Sequence, residues 1–414
     1  MQRFRGFPRW IVLVAALGFL AACVGEPGAV ASPSLTPVGE SPSLSPSPTA
    51  SLTVSPVRQG TWTSMHWSAP SPLPDGAVFW DVVAWRDGYV AVGQAPSAEV
   101  SVGAAFFSVD GLRWERTTED STFTGIPGRI VATGTRLVAF GSRSERPESL
   151  EAWSSVDGRI WQRQESLALV GAGVVGIAAR DRTMVAAGTD PTGRTMMWRS
   201  VDGAAWSRTQ SPSGHAVVRS VIAVADGFLA LGREGQTDTA SGGVGVRGVG
   251  MPAAWWSGDG QIWSAVHVDG VEAPGAELSG IFRVADGFVA IGSDNAASQR
   301  APLLWSSTDG RDWRLIGPPA HWGFASANGT QAVILAFGGV GADPEGWTSF
   351  DGREWTRLEF TGDVNHIPVT QQFVGMSGHI DRVFLMPRGV LVIGQVIADQ
   401  RGMPAVWFAE AVTR

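Results

Sequence analysis

The sequence predicts an all-β protein, a seven-bladed β-propeller of four-stranded antiparallel blades whose ring is closed by an N-terminal strand. Three observations carry this. A Ser/Gly-x-Asp-Gly-x-x-Trp box recurs six times. A pair of apolar runs ending in glycine recurs seven times. The last repeat lacks its final strand, and a matching strand stands at the other end of the repeats.

The boxes are centred on Asp110, Asp157, Asp202, Asp259, Asp309 and Asp351, at spacings of 47, 45, 57, 50 and 42 residues. Four residues before each aspartate stands an aromatic: Phe106, Trp153, Trp198, Trp255, Trp305 or Trp347. Four residues after each stands a tryptophan: Trp114, Trp161, Trp206, Trp263, Trp313 or Trp355. Asp-Gly is a strong hairpin signal, so each box reads as strand, tight turn, strand, with the aromatics packing between neighbouring units. Ahead of each box lie two apolar runs joined by a short polar turn, as in DVVAWRDGYVAVG and SVIAVADGFLALG. They close on Gly93, Gly141, Gly188, Gly232, Gly292, Gly338 and Gly394. Each unit is thus two hairpins, or four strands, over about 50 residues, the period of a propeller blade.

After Gly394, Trp407 matches the aromatic that precedes a box, and no outer strand follows it. Residues 60–67, GTWTSMHW, compare with the outer strand REWTRLEF and are expected to complete the last blade. Trp62 or Trp67 would fill the box tryptophan position. Such closure removes the exposed edges of an open array.

Residues 1–22 carry Arg3, Arg5 and Arg9 and then an apolar stretch, Trp10 to Leu20, that is short for a membrane span. Leu20-Ala21-Ala22-Cys23 resembles the bacterial lipobox. The resemblance implies a cleaved lipoprotein signal peptide and a diacylated Cys23 that anchors the chain on the extracytoplasmic face of the membrane. Cys23 is the single cysteine, which excludes an internal disulfide and a Cys-based zinc site. Residues 23–59 are rich in Pro and Ser and cannot bury a core. They read as a tether that reaches up to about 110 Å when extended at roughly 3.1 Å per residue. Residues 60–414 are the propeller. The chain has 31 basic residues, all arginine, and 38 acidic ones, a net charge of −7 that argues against a nucleic-acid partner.

The six boxes resemble the Asp-box (BNR) repeat of sialidases and other secreted propellers, Ser-x-Asp-x-Gly-x-Thr-Trp, although here the box is one residue shorter and lacks the Thr. The resemblance covers residues 60–414. It implies that Asp110, Asp157, Asp202, Asp259, Asp309 and Asp351 stabilise turns on the face opposite a functional site. Sialidases pair a tyrosine nucleophile with a glutamate, beside an acid aspartate and three arginines. The single tyrosine here, Tyr89, is equivalent to Phe228 and Phe288 and so reads as a core aromatic. The family's Phe-Arg-Ile-Pro motif is absent, its nearest match being Phe282-Arg283-Val284. Sialidase catalysis is therefore not expected.

Two Gly-x-Gly-x-x-Gly strings, Gly171 to Gly176 and Gly243 to Gly248, open no helical pattern, so no dinucleotide cofactor is expected. No metal-ligand spacing is present either. Function should sit on the long connections of the non-box face, at 94–104, 142–151, 233–252, 293–302, 315–324, 358–379 and 395–404. His215, His321, Trp322, Asn365, His366, His379, Asp381 and Arg382 are the candidate recognition rim. The expected role is a monomeric, non-catalytic binding or assembly module for a protein or cell-surface glycan. The alternative is a glycan-processing hydrolase or lyase using carboxylates of the same face.

Overall fold

A computed structural model of the chain describes residues 62–413, apart from 70, 99, 144–145, 165–168, 170–172, 191–193, 236–249, 270–275, 285, 295–300, 317–326, 330–333, 339–344, 350, 363–377, 387–388 and 399–400. The lipobox, Cys23 and the Pro/Ser segment lie outside the described residues.

The described residues are all-β, with one short 3-10 turn at Pro74–Gly76. Their strands pair as successive antiparallel meanders, labelled units 1 to 7 in chain order: 78–116, 126–164, 173–209, 216–268, 276–316, 327–357 and 378–413. Units 4 and 5 are joined into one eight-stranded sheet by a parallel pairing of their outer strands, His267 opposite Asp312 and Val268 opposite Trp313. Unit 7 has three strands of its own, and Trp62–Trp67 lies antiparallel along Arg401–Thr413 as the fourth. The other edge of Trp62–Trp67 pairs in parallel with Glu359–Gly362.

The pairing register separates the two tryptophans. In unit 3 the box Trp206 lies opposite Ser200, two residues past Trp198. In unit 7 Trp67 lies opposite Ala409, two residues past Trp407. Trp67 is therefore the equivalent of the box tryptophan. It is buried, edge-on to Phe360 at 5.5 Å between ring centres.

The period-2 alternation of each second strand explains how one sheet serves two cores. In unit 4, Leu229 and Leu231 face unit 5, where they meet Leu278, Ile281, Trp305 and Trp313. Phe228 and Ala230 face the other way, toward Val185, Ala187 and Met197 of unit 3. Units 1 and 2 share a core in the same manner, as do units 2 and 3. Unit 1 also packs on unit 7, with Phe79, Val82 and Phe106 against Leu391, Ile393 and Val406. Trp153, Trp198, Trp255 and Trp305 are all fully buried, as the repeat spacing predicts.

The closing glycines have a structural cause. In units 1 to 5 and 7 the first strand carries a β-bulge, and the residue before the bulge pairs with the closing glycine: Phe79 with Gly93, Pro127 with Gly141, Val174 with Gly188, Val218 with Gly232, Leu278 with Gly292 and Ile380 with Gly394. The kinked strand approaches so closely that a Cβ on Gly232 would overlap the carbonyl oxygen of Val217.

One expectation is sharpened and one corrected. Each Asp-Gly box does form strand, turn, strand, with a turn longer than two residues. Trp206 pairs with Ser200 across the five residues 201–205, because the aspartate folds the intervening backbone around its own carboxylate. Two-residue hairpins occur instead at the first turn, as at Arg86–Asp87 between Trp85 and Gly88. Further, 94–104, 142–151 and 395–404 are mostly not irregular loops. The second and third strands continue their ladders outward there, to Ser97 opposite Val100, Arg143 opposite Arg146 and Ala398 opposite Arg401.

Candidate functional site

In an antiparallel meander the first-to-second and third-to-fourth turns share one end, and the second-to-third connections occupy the other. The box end is built from six copies of one hydrogen-bonded turn. Each box aspartate Oδ1 accepts the backbone N–H groups two and three residues on, at 2.7–3.3 Å. The box serine Oγ accepts the glycine N–H at 2.8–2.9 Å. The box tryptophan indole N–H donates to that glycine's carbonyl in units 1, 2, 3, 5 and 6. The glycine takes a positive φ, +75° at Gly203, which a β-carbon would strain.

Burial opposes ionisation and is the largest single influence at Asp110, Asp157 and Asp351. At Asp202, Asp259 and Asp309 a backbone N–H donor is the largest. In all six the donors win and hold the carboxyl below the ordinary range. These carboxylates are committed acceptors, unsuited to act as acids near neutral pH. Each turn also covers its neighbour. A side chain at Gly158 would meet Val90 of unit 1, at Gly203 Val138 of unit 2, and at Gly310 Leu229 of unit 4; at Gly111 it would meet Leu391 of unit 7.

The opposite end is where the rim was expected. His215 is exposed; its backbone N–H donates to Ser213 Oγ at 3.1 Å, and Ser213 Oγ donates to the Glu234 carboxylate at 2.6 Å. His379 lies opposite Gln395, Asp381 is the bulge residue of unit 7, and Arg382 lies opposite Ile393. His321, Trp322, Asn365 and His366 lie outside the described residues. Of the four described, His215 stands just ahead of unit 4, and His379, Asp381 and Arg382 stand in the first strand of unit 7. Tyr89 is half-buried and packs against the core shared by units 1 and 7. Gly173, within the first Gly-x-Gly-x-x-Gly string, begins the strand Gly173–Arg180 rather than a helix.

A cluster that the sequence reading missed lies between units 4 and 5. Arg219, the bulge residue of unit 4, donates from Nε to Glu277 Oε2 at 3.1 Å. Arg233, one residue past the closing Gly232, places its Nε 3.4 Å from the same oxygen. Arg233 is 3% exposed, Glu277 16% and Arg219 38%. Arg233 Nη1 is buried and has no hydrogen-bond partner among the described residues. Burial lowers the proton affinity of Arg233, Glu277 raises it and Arg219 lowers it. The sequence did hold a signal. After the closing glycine stand Gln94, Ser142, Thr189, Ser293 and Gln395 in other units, and unit 4 alone among these has a charge there. Among the described residues, no three His, Cys, Asp or Glu side chains gather where they could hold a metal ion.

No protein-family model matches the chain, and no curated protein matches it. Solved structures similar to it include the β-propeller domain of the Trilobed protease from Pyrococcus furiosus (10% identity, 85% of this chain and 99% of that chain, TM-score 0.47). The BP39L lectin from Burkholderia pseudomallei is similar at 11% identity over 86% of this chain and 98% of the lectin, with a TM-score of 0.49. Trypanosoma rangeli sialidase is similar at 13% identity over 69% of this chain and 54% of the enzyme, with a TM-score of 0.40. At such identities the likeness is one of fold alone, and the architecture rests on the pairings given above.

Proposed function

We propose that the chain is a lipid-anchored, extracytoplasmic β-propeller. Its seven blades close into a ring through residues 62–67, and it acts as a non-catalytic module that binds a protein or a cell-surface glycan. Supporting closure are the ladder of Trp62–Trp67 on Arg401–Thr413 and the core that unit 1 shares with unit 7. The anchor is supported by the lipobox resemblance at Cys23.

The observation that carries the binding role is the unequal use of the two ends. Box-end carboxylates spend their acceptors on backbone N–H groups and their turns pack on neighbouring units. The other end carries charges that break the repeat, Arg219, Arg233 and Glu277. Rigid scaffolds commonly present recognition groups in this way.

The test is a glycan array probed with the full chain, run beside a panel of fluorogenic glycosidase substrates. Binding without turnover is the expected result. Turnover of any substrate would overturn the binding role and assign a hydrolase or lyase. Silence in both would exclude a glycan and direct cross-linking on the native cell surface toward a protein partner.

A further inference from the structure

We propose that Arg219, Arg233 and Glu277 form a site for a single carboxylate group of the ligand, seated between units 4 and 5 at the non-box end. This deepens the binding role proposed above and rests on it.

The first ground is the departure from the repeat. The position of Arg219 is Trp80, Gly128, Val175 and Ser279 in units 1, 2, 3 and 5 and Asp381 in unit 7, so unit 4 is the one of these six with a cation there. The position of Glu277 is Val78, Ile126, Gly173 and Val217 in units 1 to 4. The same fold is therefore built elsewhere in this chain without these charges. The apolar layer of Leu229, Leu231 and Leu278 runs up to the cluster, and nothing in its packing calls for a guanidinium.

The second ground is the state of Arg233. Buried guanidinium groups are ordinarily saturated with acceptors, because a buried donor left unpaired loses its hydration without return. Arg233 is 3% exposed, and its Nη1 has no partner among the described residues. That nitrogen lies beside Gly250, where even a β-carbon would stand 3.3 Å from it. Glu277 offers one oxygen to two cations and leaves the cluster with one positive charge in excess. A ligand carboxylate on the exposed Arg219 supplies the one balancing charge, to which the covered Arg233 contributes its field rather than a contact, whereas a phosphate dianion would overshoot beside Glu277. Arg219, more than a third exposed, is the cation a ligand meets first. Charge-assisted bonds of this kind fit carboxylates well, the planar fork of arginine matching their two oxygens.

The test is calorimetric titration of the full chain with glucuronate, with its methyl ester, which has the same shape without the charge, and with N-acetylglycine as a peptide-like carboxylate. Ionic strength is held with chloride throughout. Saturable binding of a free carboxylate is expected, at least about tenfold tighter than the ester. Preference for glucuronate or for N-acetylglycine distinguishes a sugar from a peptide source. Arg219→Gln, at a partly exposed site that should not disturb folding, is expected to weaken binding about ten- to hundredfold, the loss of one charge-assisted bond. Arg233→Gln should do the same, with its melting curve as a folding control. Glu277→Gln should tighten binding, because it removes the competing carboxylate. Equal binding of acid and ester, no binding above the chloride baseline, or unchanged affinity in Arg219→Gln would each overturn the site. If the array yields a ligand that Arg219→Gln binds as well as wild type, this site fails while the binding role stands. Turnover of that ligand would instead remove the binding role.

Discussion

Replacing Trp67 with alanine tests whether the N-terminal strand belongs to the cooperative core. Trp67 is 1% exposed and stands edge-on to Phe360 at 5.5 Å. It lies on a strand that pairs on both edges, with Arg401–Thr413 and with Glu359–Gly362. Truncating a buried tryptophan removes its transfer free energy and leaves a cavity, at a cost of about 3–5 kcal/mol. Its aromatic pairing contributes to that figure. Unfolding entropy of about 2.1 cal/mol/K per residue over roughly 350 residues is about 0.7 kcal/mol/K, so the midpoint should fall by about 4–7 °C. Differential scanning calorimetry of the full chain, with circular dichroism in parallel, reads this directly. A single transition displaced by that amount is expected, since units 6 and 7 are linked through the substituted strand. A midpoint within about 1 °C of wild type would refute the reasoning. So would a small separate transition with the main peak unmoved. In either case the strand would lie outside the cooperative core.

Gly232→Ala should destabilise by about 1–3 kcal/mol or more, because its β-carbon overlaps the Val217 carbonyl; thermal melting checks this, and a neutral effect would mean the bulge can relax. Asp202→Ala removes the acceptor of the Ala204 and Ala205 N–H groups and should cost about 1 kcal/mol, read by chemical denaturation. The six box carboxyls have depressed folded-state pKa values. Their contribution is therefore present above the unfolded carboxylate range and lost as pH falls through the folded values. Melting temperature should stay level from neutral pH to about 5 and drop below about 4, with Asp202→Asn showing a shallower drop. Cys23→Ser should leave the membrane fraction and take up no labelled palmitate; retention with labelling would dismiss the lipobox reading.

Much of the fold was legible because repetition multiplies a weak signal. One Asp-Gly dipeptide is ambiguous, but six of them flanked by aromatics at fixed offsets give the strand count and the unit boundaries. The buried positions of Trp153, Trp198, Trp255 and Trp305 follow from those offsets alone. The closing glycines were visible as a pattern, but not their cause, since a β-bulge is a relation between two strands. The choice of Trp67 over Trp62 was equally closed to the sequence, because both lie on one short strand and only the register against Ala409 separates them. The extent of the second and third strands is not legible, since polar residues with Pro or Gly among them look like loop and pair as ladder all the same.

The candidate site was the least legible part. Histidines and polar residues of the connections drew attention because polar residues in loops are easy to see. Arg219, Arg233 and Glu277 sit inside or at the ends of strands, 14 and 44 residues apart in turn along the chain. By itself the sequence determined what is local and periodic, namely strand type, unit length, turn chemistry and the apolar faces. The tertiary structure alone decided which charges meet, because the oxygen of Glu277 reaches both guanidinium groups across a boundary between two units. Periodicity reports how a chain repeats itself, whereas an ion cluster between repeats depends on how adjacent sheets twist and pack, which no single stretch of sequence encodes.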